Sequence, residues 1–134
     1  GLYKSDVWSQ TFQYVRPQET GNKTDVRWMA VSNGKIGLMA KGLPKFDGSV
    51  HQYPYKDLDH VRYGQKHGKL DIQPKDQVDW LIDYKQMGVG GDNSWGARPH
   101  KQYTLTPKVY NYSFLLIPFE ERTDLTQLSN LSLN

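Results

Sequence analysis

"DVRWMAVSNGKIGLMA", residues 25–40, decides the fold. In its first half Val26, Trp28 and Ala30 share one face of an extended chain, and Arg27, Met29 and Val31 share the other. A strand so loaded is expected to be covered on both sides. Asn33-Gly34 then supplies residues that accept positive φ in a tight hairpin, and 35–40 follows as the partner strand. Working outward, residues 7–14 alternate with Trp8, Phe12 and Tyr14 on one face, and residues 16–23 have turn composition. Residues 53–63 place Pro54 at a helix start, with Asp57 and Asp59 early and Leu58, Val61 and Arg62 at helical spacing, which predicts one short helix. Strands are expected over 69–74, over 77–88 with Val78, Trp80, Ile82 and Tyr84 inward, and over 109–119. The last has Tyr110, Tyr112, Phe114 and Leu116 inward and ends at Pro118.

The result is an all-β expectation: a β-sandwich over 1–119 with at most one short helix, followed by a polar tail over 120–134 that leaves helix, linker and disorder open. A chain of 134 residues, 37% hydrophobic, suits one core. The net charge is +3, but Lys and Arg are interspersed with Asp along the whole length, which argues against a nucleic-acid face. There is no cysteine, so disulfides and thiolate chemistry are excluded. No apolar run reaches the roughly 20 residues of a membrane helix. The chain opens with Gly1 instead of an initiator Met, carries no signal-peptide pattern and enters ordered patterning at once, so a fragment of a longer polypeptide is expected, with the compartment left open.

Catalytic signals are weak. Glu19, Glu120 and Glu121 are the only glutamates, two of them adjacent, and Asp71, Asp79 and Asp83 fall at outward strand positions where solvated surface is expected. His51, His60, His67 and His100 lack metal-ligand spacing, so no metal site is expected. The Gly88–Gly91 run lacks the Lys-Ser/Thr pair and helix of a phosphate loop. Three N-glycosylation-type triplets begin at Asn22, Asn111 and Asn130.

Two segments exceed what strands and turns require. In 14–28, Arg16, Glu19, Asp25 and Arg27 stand among aromatics at a density suited to a hydrogen-bonded network or an ion-paired turn. In "GVGGDNSWGARPH", residues 88–100, Trp95 stands on a glycine-rich loop, either folded back on its own domain or projecting towards a partner or ligand.

Together "RPQETG" with the following "TDVRW", Tyr53 to Leu58, and "MGVGGDNSWGARPH" resemble the C-terminal, small-chain region of family 2 β-galactosidases, from about Trp8 to Phe119. The resemblance implies half of a supersandwich similar to galactose mutarotase, packed beside a TIM barrel that carries both catalytic glutamates. It therefore implies retaining hydrolysis of terminal β-galactosides by a larger parent and no catalytic pair here. Trp95 matches the tryptophan of the family's "GGD-[DN]-SW" loop, an apolar wall for the substrate sugar. Gly90 and Gly91 would let the loop leave the sandwich, and Asp92, Asn93 and Ser94 would pin its turn. Asn93 departs from the second acid of the type enzyme, and one aromatic wall does not select galactose. The implied partners are the other domains, the barrel above all, and the sugar. An oligomer is compatible with this; nucleic acid and membrane are not implied. No cofactor is implied for this chain, and any magnesium or sodium ions of the parent would be bound by other domains. An independent carbohydrate-binding module and, more distantly, an aldose epimerase are the competing readings.

Overall fold

The computed structural model describes residues 1–11, 20–58, 72–88 and 96–132, with the side chains of Tyr55 and Leu58 excepted. The chain is all-β. Strands β1 (Lys23–Ser32), β2 (Ile36–His51), β3 (Asp79–Asp83) and β4 (Ser113–Glu120) form one antiparallel sheet in the order β1-β2-β3, with β4 also paired to β2. One short helix, α1 (Leu125–Ser129), and 3₁₀ turns at Trp8–Gln10, Tyr55–Leu58 and Lys101–Tyr103 complete the described elements.

The hairpin forms as the sequence predicts. Gly34 takes φ +89°, and the Asn33 N–H donates to the Ile36 carbonyl at 3.1 Å. The Asn33 side-chain oxygen accepts the N–H groups of Lys35 and Ile36 at 3.0 and 3.1 Å, so the turn is held from both sides. On β1, Val26 and Trp28 to Val31 are all half-buried while Arg27 is exposed, so apolar groups of both faces are partly covered.

Residues 1–23 with 48–81 form one compact unit, and 24–47 with 82–134 form another. The first centres on Tyr53 and Ile72, 1% and 4% exposed, with Trp8 packed against them. In the second, Met39, Ala40 and Phe46 of β2 are buried. There β4 runs antiparallel to β2 from Ile36↔Glu120 to Leu43↔Ser113. The Phe119 ring lies across Gly37 and fills the space a Cβ would need, an aromatic covering a strand glycine.

Several expectations are corrected. Residues 7–11 do not continue as a strand: the Asp6 carboxylate accepts the Ser9 N–H at 2.8 Å and closes a 3₁₀ turn, a local bond that outweighs the alternation. Phe12 and Tyr14 lie outside the described residues. Of the predicted helix, residues 53–58 lie within them and form only a 3₁₀ turn at Tyr55–Leu58, and 59–63 lie outside. Residues 72–74 are irregular, as Pro74 removes a ladder donor, and 69–71 lie outside. β3 covers only Asp79–Asp83, with Val78 39% exposed. Asp79 and Asp83 are half-buried, not solvated, while Asp71 lies outside the described residues.

The last strand begins at Ser113 and runs through Pro118 to Glu120. Leu116, expected inward, is 52% exposed, and Leu115, Ile117 and Phe119 are more covered. Tyr110 and Tyr112 precede the strand and join Tyr84 in an aromatic group with centroids 5.4 and 5.8 Å away, the Tyr112 hydroxyl donating to the Ile82 carbonyl at 3.0 Å. Aromatic packing and a hydroxyl bond from each ring, that of Tyr110 to the Thr106 carbonyl, fix these tyrosines, not sheet alternation. In the tail, the Asp124 carboxylate accepts the N–H groups of Thr126 and Gln127 at 2.9 and 3.1 Å and starts α1.

β2 approaches its own continuation at Gly42, where a Cβ would stand 2.7 Å from the Lys45 Cα. Backbone cannot yield as a flexible side chain can. Gly42→Ala is expected to cost about 1–3 kcal/mol of stability, measured as a lowered urea midpoint.

Candidate functional site

The chain leading into Gly88 is held by fixed contacts. The Gln86 N–H donates to Asp47 Oδ2 at 3.0 Å, and the Gln86 side-chain amide donates to Asp83 Oδ2 at 3.1 Å. Two residues on, the Gly88 N–H donates to the Tyr103 carbonyl at 3.1 Å. A Cβ at Gly88 would be 2.9 Å from the Tyr103 Cβ, so a side chain there would force the strand exit away from the 101–103 turn. Gly96 takes φ +154° with open space around it, a backbone conformation that L-residues rarely adopt. Met87 and Tyr103 beside Gly88 are 51% and 57% exposed.

Asp47 is the central polar group. It lies on β2, is 8% exposed, and is the only buried carboxylate among the described residues. Its Oδ1 accepts the Asp25 N–H at 3.1 Å while Oδ2 takes that of Gln86. Asp25 is held at φ +57°, unusual for a non-glycine residue, and its own carboxylate accepts Lys45 Nζ at 3.2 Å. That ion pair is exposed at both ends and contributes little. The two backbone bonds to a buried carboxylate are charge-assisted and contribute more. One side chain thus ties the start of β1 to the foot of the loop. No sequence signal marks it, since Asp47-Gly48 has the composition of an ordinary turn.

The other unit holds a second polar group. His51, 4% exposed, shares a 3.2 Å hydrogen bond between Nε2 and Ser49 Oγ and meets the Tyr53 ring at a tilt of 42°, centroids 5.3 Å apart. Gly21 takes φ +71°, and a Cβ on it would sit 3.3 Å from the imidazole. Burial lowers the His51 pKa below its usual 6.5, the Lys23 charge lowers it further, and Asp79 opposes them. The Asn22 side-chain oxygen and Trp80 Nε1 are buried with no hydrogen-bond partner among the described residues.

Of the residues singled out from the sequence, Asp25 takes part in the Asp47 arrangement, and Arg27 is exposed on β1. Arg16, Glu19, Gly90, Gly91, Asp92, Asn93, Ser94 and Trp95 lie outside the described residues, as do His60 and His67. Glu120 and Glu121 are exposed. Among the described residues no group of three or more His, Asp or Glu side chains could hold a metal ion.

Comparison with known proteins places the chain. Residues 1–116 match the family model for the β-galactosidase small chain. A β-galactosidase of Priestia megaterium is 40% identical over 119 residues, covering 87% of this chain and 11% of that protein. One from Streptococcus thermophilus is 31% identical over 121 residues, covering 88% and 11%. One from Vibrio vulnificus is 28% identical over 118 residues, covering 88% and 10%. The chain therefore spans about a tenth of the length of these relatives.

Two outcomes are expected. Asp47→Ala leaves two buried N–H groups unpaired and should lower unfolding free energy by about 3 kcal/mol, with Asp47→Asn losing roughly half as much, by urea titration. His51 stays neutral in the fold below the pH at which it protonates in the unfolded chain. Its contribution is thus complete above about pH 6.5 and lost as pH falls through the lower folded value. Between pH 7.5 and 5.0 the wild type should lose more stability than His51→Gln, whose remaining titrations are shared.

Proposed function

The chain belongs to the β-galactosidase small-chain family, and on that premise we propose that it completes the sugar site of a larger family 2 β-galactosidase. In this reading the strands are half of a supersandwich beside a TIM barrel, and the barrel carries the two carboxyl groups of retaining hydrolysis. The 88–96 loop reaches from the sandwich into the barrel's pocket. Trp95 presents its indole to the C–H face of a terminal β-galactoside, orienting the sugar and excluding water from the reacting bond. Asp92, Asn93 and Ser94 hold the turn that carries it, and Gly90 and Gly91 give the backbone its exit.

The observation that carries this reading is the anchoring of the loop at its base. Asp47 holds Gln86 and Tyr103 holds Gly88. A segment that starts from a fixed base can place a bulky side chain beyond its own domain at smaller entropic cost.

The test is hydrolysis of a nitrophenyl β-galactoside by the complete polypeptide that carries this chain. Trp95→Ala should lower kcat/KM by about tenfold to a hundredfold, roughly 1.4–2.8 kcal/mol of transition-state stabilisation, with unfolding unchanged. Residues 1–134 alone should be inert. An unimpaired Trp95→Ala enzyme, or turnover by the isolated chain, would refute the proposal.

A further inference from the structure

The turn between β1 and β2 sets a side-chain amide beside a backbone nitrogen. Asn33, Gly34 and Lys35 are exposed. The Asn33 side-chain oxygen accepts the Lys35 and Ile36 N–H groups at 3.0 and 3.1 Å. To reach them the side chain folds back along the turn, past the Gly34 nitrogen that lies between. That N–H has no acceptor among the described residues. Gly34 takes φ +89°, and a Cβ there would meet nothing within 4 Å, so the space over the turn is open. Asn33 is also the only asparagine of the sequence followed by glycine. Asn22, Asn111 and Asn130 precede Lys, Tyr and Leu, whose side chains crowd any approach to the next nitrogen.

We infer that Asn33 is a site of self-modification in the folded chain, losing its side-chain amide through a cyclic imide with water as the only co-reactant. The Gly34 nitrogen gives its proton to hydroxide and attacks Asn33 Cγ, and an N–Cγ bond forms. Nucleophile and carbonyl are held in one turn, so the step is unimolecular. Charge gathers on Oδ1, where two N–H donors already point, the arrangement that stabilises a tetrahedral oxyanion. The Cγ–Nδ2 bond then breaks, and Nδ2 takes a proton from water and leaves as ammonia, which regenerates the hydroxide. Water opens the ring at Cγ to give aspartate, or at the main-chain carbonyl to give isoaspartate. One water is consumed, one ammonia is released, and nothing is oxidised or reduced.

The two products differ in what they do to the turn. Aspartate keeps an oxygen that accepts both N–H groups, now with charge assistance. Isoaspartate routes the main chain through Cβ and Cγ, adds a methylene to the turn and moves the carboxylate to Cα. The resulting shift of Lys35 reaches the end of β4, because the Lys35 carbonyl accepts the Glu121 N–H at 2.9 Å. The chemistry is confined to the turn and is independent of Trp95.

The experiment incubates the complete polypeptide at pH 8 and 37 °C, native and in guanidinium chloride. Each asparagine is followed by peptide mass spectrometry, with electron-transfer fragmentation to tell aspartate from isoaspartate. In the native protein Asn33 should convert at least tenfold faster than Asn111 and Asn130, and at no less than a third of its rate in the denatured chain. A smaller margin over those two, or a native rate below that third, overturns the inference. The native rate should also rise with hydroxide concentration between pH 7 and pH 9, as attack by a deprotonated nitrogen requires. A flat profile, or aspartate with no isoaspartate beside it in the denatured chain, rules out the cyclic imide and overturns the inference as well.

Discussion

One buried carboxylate links the parts of this chain that matter most. Asp47 has no counter-cation at bonding distance among the described contacts, and its two oxygens accept two backbone N–H groups from distant points of the sequence. Removing a carboxylate from water is costly, and fixed amide donors offset that cost while demanding a particular geometry. This demand accounts for Asp25 being held at a positive φ and for the Gln86 backbone being fixed after β3. A hydrophobic contact at Asp47 would tolerate sliding; this arrangement does not.

The sequence made the hairpin legible because Asn33-Gly34 encodes its own geometry, whatever surrounds it. It made the all-β class legible through composition and alternation. It misled wherever alternation was produced by something other than a strand. Trp8 follows Asp6, whose carboxylate closes a turn, and Tyr110 and Tyr112 alternate because aromatic partners and a carbonyl receive them. The inward set of β4 was shifted because "FLLIPF" is apolar at every position, so period alone cannot choose a face. For the candidate site, the loop motif could be read from resemblance, but its supports could not. Asp47 meets Asp25 and Gln86 across 22 and 39 residues, and no local pattern encodes such pairings.

The two compact units stabilise themselves differently. The unit around Tyr53 combines a tilted ring contact with an imidazole against which Gly21 is set closely. The unit around Met39 relies on close backbone approach, at Gly42 and under the Phe119 ring. In both, positions without a side chain are where packing is tightest, so glycine acts there as a filler of shape more than as a source of freedom.

Pro118 has a consequence for how copies of this chain can meet. It lies within β4, which pairs only with β2 among the described strands, and it has no N–H to donate. A strand arriving along the open margin of β4 would find a donor missing in the middle of the row it needs. Continuous strand addition, the route by which sheets propagate into fibrils, is therefore interrupted at that point.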